Sequence, residues 1–303
     1  MTTAGRGGPG AQAARRAALL LLAPGLLLIT VTFLLPAAAS LLLSLSDFDL
    51  YAVAVPADAR VVWLRNYVTL VESPLFWAAF RNTLYFVLVG GPLSVLVSLG
   101  AALMLSADGV RLRTLFRTVY FAPVVTTLVA VAVVWKYIYA PQIGLLDTGL
   151  RWLGVAPVDW LGSAAWAMPS LIVMNVWKNF GYNMIIFVAG LQAVPTELYD
   201  AARVDGAGAW QRFWHVTLPS LAPTFLFVSI TTMIGALQLF AEPYVMTQGG
   251  PLHATLSLVL YMFDQGFAFW HIGYAAGIAV VLFLLTLAGA AVQLRARRAP
   301  AAI

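Results

Sequence analysis

Pro195-Thr196-Glu197-Leu198-Tyr199-Asp200-Ala201-Ala202-Arg203-Val204-Asp205-Gly206, followed by Ala207-Gly208-Ala209-Trp210-Gln211-Arg212-Phe213-Trp214-His215-Val216-Thr217-Leu218-Pro219, is a charged interlude between two long apolar runs. Its residue types predict two short helices joined by a turn. Thr196 is suited to cap the first, and Glu197 and Asp200 place negative charge near its positive end. Gly206 suits the left-handed residue that closes a helix. A second helix is expected over about 209–216, with Pro219 in the first turn of the next long helix. Ala201 and Ala202 leave a small, flat surface that another protein can approach closely.

Outward from this stretch the chain is strongly apolar. Of its 303 residues 62% are hydrophobic and 10% charged, against roughly 25% charged in a soluble domain. Crossing ~30 Å of hydrocarbon takes about 20 apolar residues. Runs free of Asp, Glu, Lys and Arg cover 17–46, 82–107, 118–135, 213–241 and 265–294, and 160–196 is broken only by Lys178. Six spans are therefore predicted, all helical because each must satisfy its own backbone in lipid. The window 243–263 is rejected as a seventh, since Thr247-Gln248-Gly249-Gly250-Pro251 breaks it; a loop and an interfacial helix are expected there. Arg15-Arg16 and Ala37-Ala38-Ala39 imitate a signal peptide. The apolar core is too long for one and continues through Leu41-Leu42-Leu43, so an uncleaved first helix is expected.

With both termini in the cytoplasm, most arginines fall inside, among them Arg15, Arg16, Arg111, Arg113, Arg117, Arg203 and Arg212. Of the acidic residues only Asp108, Glu197, Asp200 and Asp205 fall on that side. The net charge of +5 is thus a topology signal, and no basic run exceeds two residues, which argues against nucleic acid. The chain has no cysteine, its histidines (His215, His253, His271) are far apart, and neither Lys136 nor Lys178 follows a glycine. A metal cluster and a phosphate-cradling loop are both unsupported. Arginine far exceeds lysine, which suggests a GC-rich bacterial genome.

The interlude resembles the EAA motif of importer permeases in the ABC transporter superfamily: Glu-Ala-Ala, three residues, Gly, nine residues, Ile-x-Leu-Pro. Here the pattern reads Asp200-Ala201-Ala202, Gly206 and Val216-Thr217-Leu218-Pro219 at the same spacing. Asp200 and Val216 depart conservatively from Glu and Ile, and Gly208 stands where a serine cap is common. Asp205-Gly206-Ala207 and Phe213 are similar to the carbohydrate branch, the maltose- and glycerol-phosphate-type sugar permeases. So are Asn66-Tyr67, Phe76-Trp77, Asn82-Thr83, Gly190-Leu191-Gln192, and Tyr244 through Pro251 with Thr255. The matches run from about 66 to 255, and the six-span layout extends them to about 295.

Residues 1–14, rich in Gly, Ala and Thr and without periodicity, are expected to be a disordered cytoplasmic tail. The resemblance implies an all-α integral membrane protein, with an importer-permease helical bundle (15–298) and a short C-terminal tail (299–303), lying as a multi-pass chain in the bacterial cytoplasmic membrane. It implies that loop 195–219 docks as a coupling helix on a separate ATPase through Glu197, Asp200, Ala201, Ala202, Asp205, Gly206, Leu218 and Pro219. The implied partners are a second, homologous permease chain, two ATPase subunits and an extracytoplasmic solute-binding protein. No cofactor is expected on this chain; ATP and Mg belong to the ATPase.

Lys178 lies deep in the fourth run, where a charge costs roughly 2.5–3.5 kcal/mol, so it should face protein or water. Asn179, Tyr182 and Asn183 follow it on one helical face. Rings and amides suit a sugar, so these four residues, with Gln238 and Glu242 at the outer end of span five, are candidates for a substrate path. A purely structural polar cluster is the equal alternative. Gly273 and Gly277 permit close helix packing, and Lys136 is expected to snorkel. An intramembrane enzyme would need a catalytic constellation that the spans do not show. An ion-driven secondary transporter, the other alternative, usually carries intramembrane acids, and six windows can be drawn here without one.

Overall fold

The computed structural model describes residues 9–55, 60–107 and 109–298. Among them no β-strand forms beyond one isolated bridge between Ser46 and Val61. Five helices are long and apolar enough to cross a membrane: Ala17–Leu43, Pro74–Ser106, Ala167–Gln192, Ala222–Met246 and Ile272–Ala296. A sixth candidate is a bent pair, Arg113–Val125 and Leu128–Ile138, whose axes meet at 99°. In chain order these are spans one to six, with the bent pair as span three.

Several boundaries differ from the sequence expectation, each for a local reason. Span one begins in a helix that starts at Pro9, so the end of the tail expected to be disordered is helical; residues 1–8 and 299–303 lie outside the described residues. Span two starts at Pro74 rather than at 82. Ser73 accepts from the N–H of Phe76 at 3.3 Å and Pro74 fits the first turn. Arg81, which ended the charge-free run, folds back onto the carbonyl of Trp77 at 3.3 Å. Span three is not one straight helix, because Thr126 and Thr127 are extended. The short helix Leu258–Phe263 packs into the bundle, with Leu258, Leu260 and Tyr261 buried against Leu70, Phe76 and Ile278.

Three prolines, one in span one, one in span two and one ahead of span five, follow a change in the helix ladder. Wider π-type turns at Thr30–Leu34, Phe86–Gly90 and Phe213–Thr217 immediately precede Pro36, Pro92 and Pro219. Proline donates no hydrogen bond and its ring crowds the carbonyl four residues back. Widening the ladder there lets the helix continue past it.

Span four is the axis of the bundle, with 56% of its most apolar window buried, against none for span one and 17% for span six. Glycines set how closely its neighbours approach. A Cβ on Gly181 would strike the backbone of Tyr120 in span three, and one on Gly190 would lie 2.6 Å from Thr224 Oγ1 in span five. Around this axis the buried side chains form two layers, Val131, Leu171, Ile172 and Met174 in one and Leu99, Ala102, Met184, Phe187 and Leu221 in the other.

The end of the bundle opposite loop 195–219 is stapled by side chains that pair with backbone. Asn66 donates to the carbonyls of Ser44 (2.9 Å) and Ser46 (2.8 Å), at the open end of span one. Asn82 donates to the carbonyls of His253 (2.7 Å) and Leu256 (3.0 Å), and Thr83 accepts from the N–H of Leu258 at 2.9 Å. Thr247 and Thr255 share a hydrogen bond at 2.7 Å across the Gly249-Gly250 turn. Asp147, fully buried, accepts from the N–H of Gln142 (3.0 Å), the N–H of Val158 (3.3 Å) and the Trp160 indole (2.9 Å). Burial pushes its carboxyl up, but these bonds and the charge of Arg151 outweigh that and hold it below its ordinary value.

Gly273 and Gly277 pack within the chain. The N–H of Gly273 donates to the carbonyl of Phe48 at 2.8 Å, and a Cβ there would press on the carbonyls of Ser46 and Leu43. Gly273→Leu is expected to cost about 1–3 kcal/mol by overpacking, read as a lower melting temperature of the purified protein in detergent. Gly100→Ala, where a Cβ meets nothing within 4 Å, should leave the melting temperature unchanged or slightly raised.

Candidate functional site

Two features stand out: a loop presented to solvent and a polar cavity inside the bundle. In the loop, helix Thr196–Val204 begins one residue earlier than a Thr196 cap would place it, with Pro195 at the cap position in extended backbone. Its far end closes as expected. Gly206 has φ +77°, its N–H donates to the carbonyl of Arg203 (3.0 Å), and the N–H of Ala207 donates to that of Ala202 (2.8 Å). Those two bonds satisfy carbonyls that the helix leaves open.

The next helix, Ala209–Arg212, lacks a serine cap, and Gln211 supplies the contact by accepting from the N–H of Gly208 at 2.8 Å. The helix runs on through Phe213–Thr217 into Leu218–Ser220, which carries Leu218 and Pro219. Glu197, Asp200, Ala201 and Asp205, with Ala202 and Gly206 near them, stay on the open side of this loop. Val204 is 89% and Trp210 71% exposed. Asp200 pairs with Arg203 at 2.9 Å in solvent, a contact worth little by itself. One bond ties the first loop helix to the second: the Tyr199 hydroxyl meets Thr217 Oγ1 at 3.0 Å, and Thr217 is buried.

The cavity, of about 390 Å³, opens beside span four. It brings together Asn179, Tyr182, Asn183, Gln238 and Glu242, five of the six path candidates. Lys178 is not on its wall. The buried ammonium turns to the carbonyls of Pro123 (3.0 Å) and Val124 (3.3 Å), at the end of the first half of span three. A cation is favourable at a helix C-terminus, and the break leaves carbonyls that need donors. Thr126 contributes there too, its N–H and hydroxyl reaching the carbonyl of Pro123 at 3.3 and 2.6 Å.

Span five also breaks at the cavity. Helix Ala222–Leu237 ends at the Gln238 cap, Leu239 and Phe240 lie outside regular helix, and helix Ala241–Met246 follows. Ser257 donates to the freed carbonyl of Leu239 at 2.6 Å. Irregular backbone at membrane depth is tolerated where it is buried in protein or lines a cavity, and both conditions hold here. Buried Glu242 accepts from the Asn175 amide at 2.6 Å, and Asn183 donates to Thr232 Oγ1 at 3.0 Å. Ser94, also buried, presents a hydroxyl with no hydrogen-bond partner to the same space.

Sequence reasoning missed Asn175, Ser94, Thr231, Thr232 and Phe240, which all line the cavity. Asn175 was within reach, lying one helical turn before Asn179. The others sit in apolar runs where only the three-dimensional packing singles them out. Among the described residues no cluster of His, Cys, Asp and Glu could hold a metal.

Residues 94–299 match the family model described as "Binding-protein-dependent transport system inner membrane component". The lactose transport system permease protein LacF of Rhizobium radiobacter is 36% identical over 271 residues, 88% of this chain and 89% of that protein. The arabinooligosaccharides transport system permease protein AraP of Bacillus subtilis is 32% identical over 90% of this chain and 86% of its own length. In a crystal structure of a bacterial alginate ABC transporter with an alginate pentasaccharide-bound periplasmic protein, one chain superposes with TM-score 0.78, covering 95% of this chain and 96% of its own. At 22% identity, that likeness shows the fold alone.

Replacing Lys178 by Met keeps its stem but removes the donors from the break in span three. A cost of about 1–3 kcal/mol is expected for the Val124 carbonyl left open, that of Pro123 keeping its two Thr126 donors, measured as a lower melting temperature in detergent. Asn179→Ala, on the cavity wall, should leave the melting temperature within about 2 °C of the original, an effect under ~1 kcal/mol.

Proposed function

The chain belongs to the family of binding-protein-dependent transport system inner membrane components, and from that premise we propose how it works. It is a multi-pass permease subunit of an ATP-binding-cassette importer for sugars, not an enzyme. The bent pair counts as one span, giving six in all, and an even number puts both termini on the side of loop 195–219. The concentration of arginine on that side makes it the cytoplasmic one. The importer sits in the bacterial cytoplasmic membrane.

In this reading loop 195–219 is the coupling element. Its carrying observation is the exposed two-helix motif, whose fold is held by its own backbone bonds while Val204 and Trp210 stay open to solvent. An exposed valine and tryptophan flanking a rigid turn suit insertion into a groove on a partner. Helix Thr196–Val204 would enter that groove on an ATPase subunit, which holds the ATP and Mg. Closure of two ATPase subunits moves the loop. Through the Tyr199–Thr217 bond and Pro219 the motion reaches span five.

Span five carries the motion to the cavity, which is the sugar's path. Tyr182 and Phe240 offer rings to the apolar faces of a sugar, while Asn179, Asn183 and Gln238 offer amides to its hydroxyls. A solute-binding protein delivers the sugar from outside, as supported by the periplasmic protein bound in the alginate transporter. A second permease chain completes the path, and the uncovered face of span one is available for it or for lipid.

Purification through a C-terminal tag in mild detergent is expected to bring down a second permease and a P-loop ATPase. Recovery of the chain alone across several detergents would favour an ion-driven carrier. The loop itself is tested by Gly206→Pro, which removes an N–H in use and forbids φ +77°. At normal membrane abundance, transport and solute-stimulated ATP hydrolysis should fall at least about tenfold. Full activity would remove the loop from the coupling role.

A further inference from the structure

We propose that this cavity selects by charge, admitting neutral and cationic sugars and rejecting sugars that carry a carboxylate, sulfonate or phosphate, with Glu242 as the selecting residue. The inference rests on the reading of the cavity as the sugar's path. Among the residues that line it, Glu242 is the only acidic or basic one. Lys178 lies near enough for its charge and that of Glu242 to attract. Its ammonium nevertheless points away, toward the carbonyls of Pro123 and Val124. The cation therefore serves the break in span three, and only the carboxyl opens on the solute.

The hydrogen bonds of the wall leave it able to serve a neutral sugar. Asn179 spends an amide N–H on the carbonyl of Asn175 at 3.0 Å, and Asn183 spends one on Thr232 at 3.0 Å. Thr231 directs its hydroxyl to the carbonyls of Phe227 (2.9 Å) and Val228 (3.1 Å). Asn179 and Asn183 each keep a second amide N–H and Ser94 keeps its hydroxyl, so the wall can both donate to and accept from a neutral sugar. An anion entering here also loses its water without gaining a cation, and faces Glu242 in a space of low dielectric.

The chain contains no cysteine, which permits a direct measurement. Gly235 lines the cavity, and a Cβ there meets nothing within 4 Å. In the assembled transporter with a cysteine-free partner permease, Gly235→Cys is reacted with two thiosulfonates of similar size. One carries a trimethylammonium group and the other a sulfonate. Their rates are compared with their ratio on free 2-mercaptoethanol. The cationic reagent is expected to be favoured at least about tenfold, as charged clefts concentrate counter-ions by 10–10³, and E242Q should bring the ratio back toward that of the free thiol.

Equal rates, or preference for the sulfonate, would overturn the proposal. A preference that survives E242Q would overturn the assignment to Glu242. If E242Q does not assemble, the ratio with Glu242 intact decides alone. The path reading is judged separately: complete modification of the cysteine should stop transport of the natural sugar. Continued transport would remove the cavity from the path whatever the ratio.

Discussion

The fold depends on one requirement of hydrocarbon, that no backbone carbonyl be left without a donor. Continuous helices meet it unaided, but this bundle contains two breaks, at Thr126-Thr127 in span three and at Gln238–Phe240 in span five. Each is supported by a side chain from elsewhere. Lys178 reaches two carbonyls at the first, and Ser257 reaches Leu239 at the second. The breaks place Leu128 and Phe240 on the wall of the same cavity. The lysine in an apolar span is thus bound up with the broken span beside it: the break creates a local excess of acceptors, and the charge is tolerable because it meets them.

The apolar runs and the charged loop were legible in the sequence because they follow local rules. Span length is set by the membrane, and the Gly206 turn by the φ that only glycine adopts readily. Asn179, Tyr182 and Asn183 could be placed on one face by periodicity alone. Lys178 could not be separated from them, since the turn of a helix fixes direction but not which acceptor a long side chain finds. The bend in span three was also hidden, although Pro123 and Thr126-Thr127 mark its place in retrospect. Thr231 and Thr232 look like ordinary β-branched residues of an apolar helix. Their position on the cavity follows from the packing of spans four and five, which Gly190 and Thr224 bring close.

The polar pairs of the far end show the same economy of side chains bonded to backbone. Asn66 and Asn82 each bind two carbonyls in a different segment, so helices distant in sequence are joined by an amide rather than by an ion pair. Among the described residues the one salt bridge, Asp200–Arg203, lies in solvent. Amides carry no charge to desolvate, and their strength changes little with salt, so these two links are insensitive to ionic strength.

The Tyr199–Thr217 bond lies at one end of span five and the cavity at the other. Helix Ala222–Leu237 between them has 16 residues, a rod about 24 Å long at 1.5 Å per residue. As a lever pivoting near Pro219, a tilt of about 10° would swing its far tip by about 4 Å, on a rise of about 1.5 Å per residue. That displacement exceeds the diameter of a water molecule. A small rotation at the loop end is geometrically sufficient to open or pinch the chamber, so the distance between the two sites is itself the amplifier.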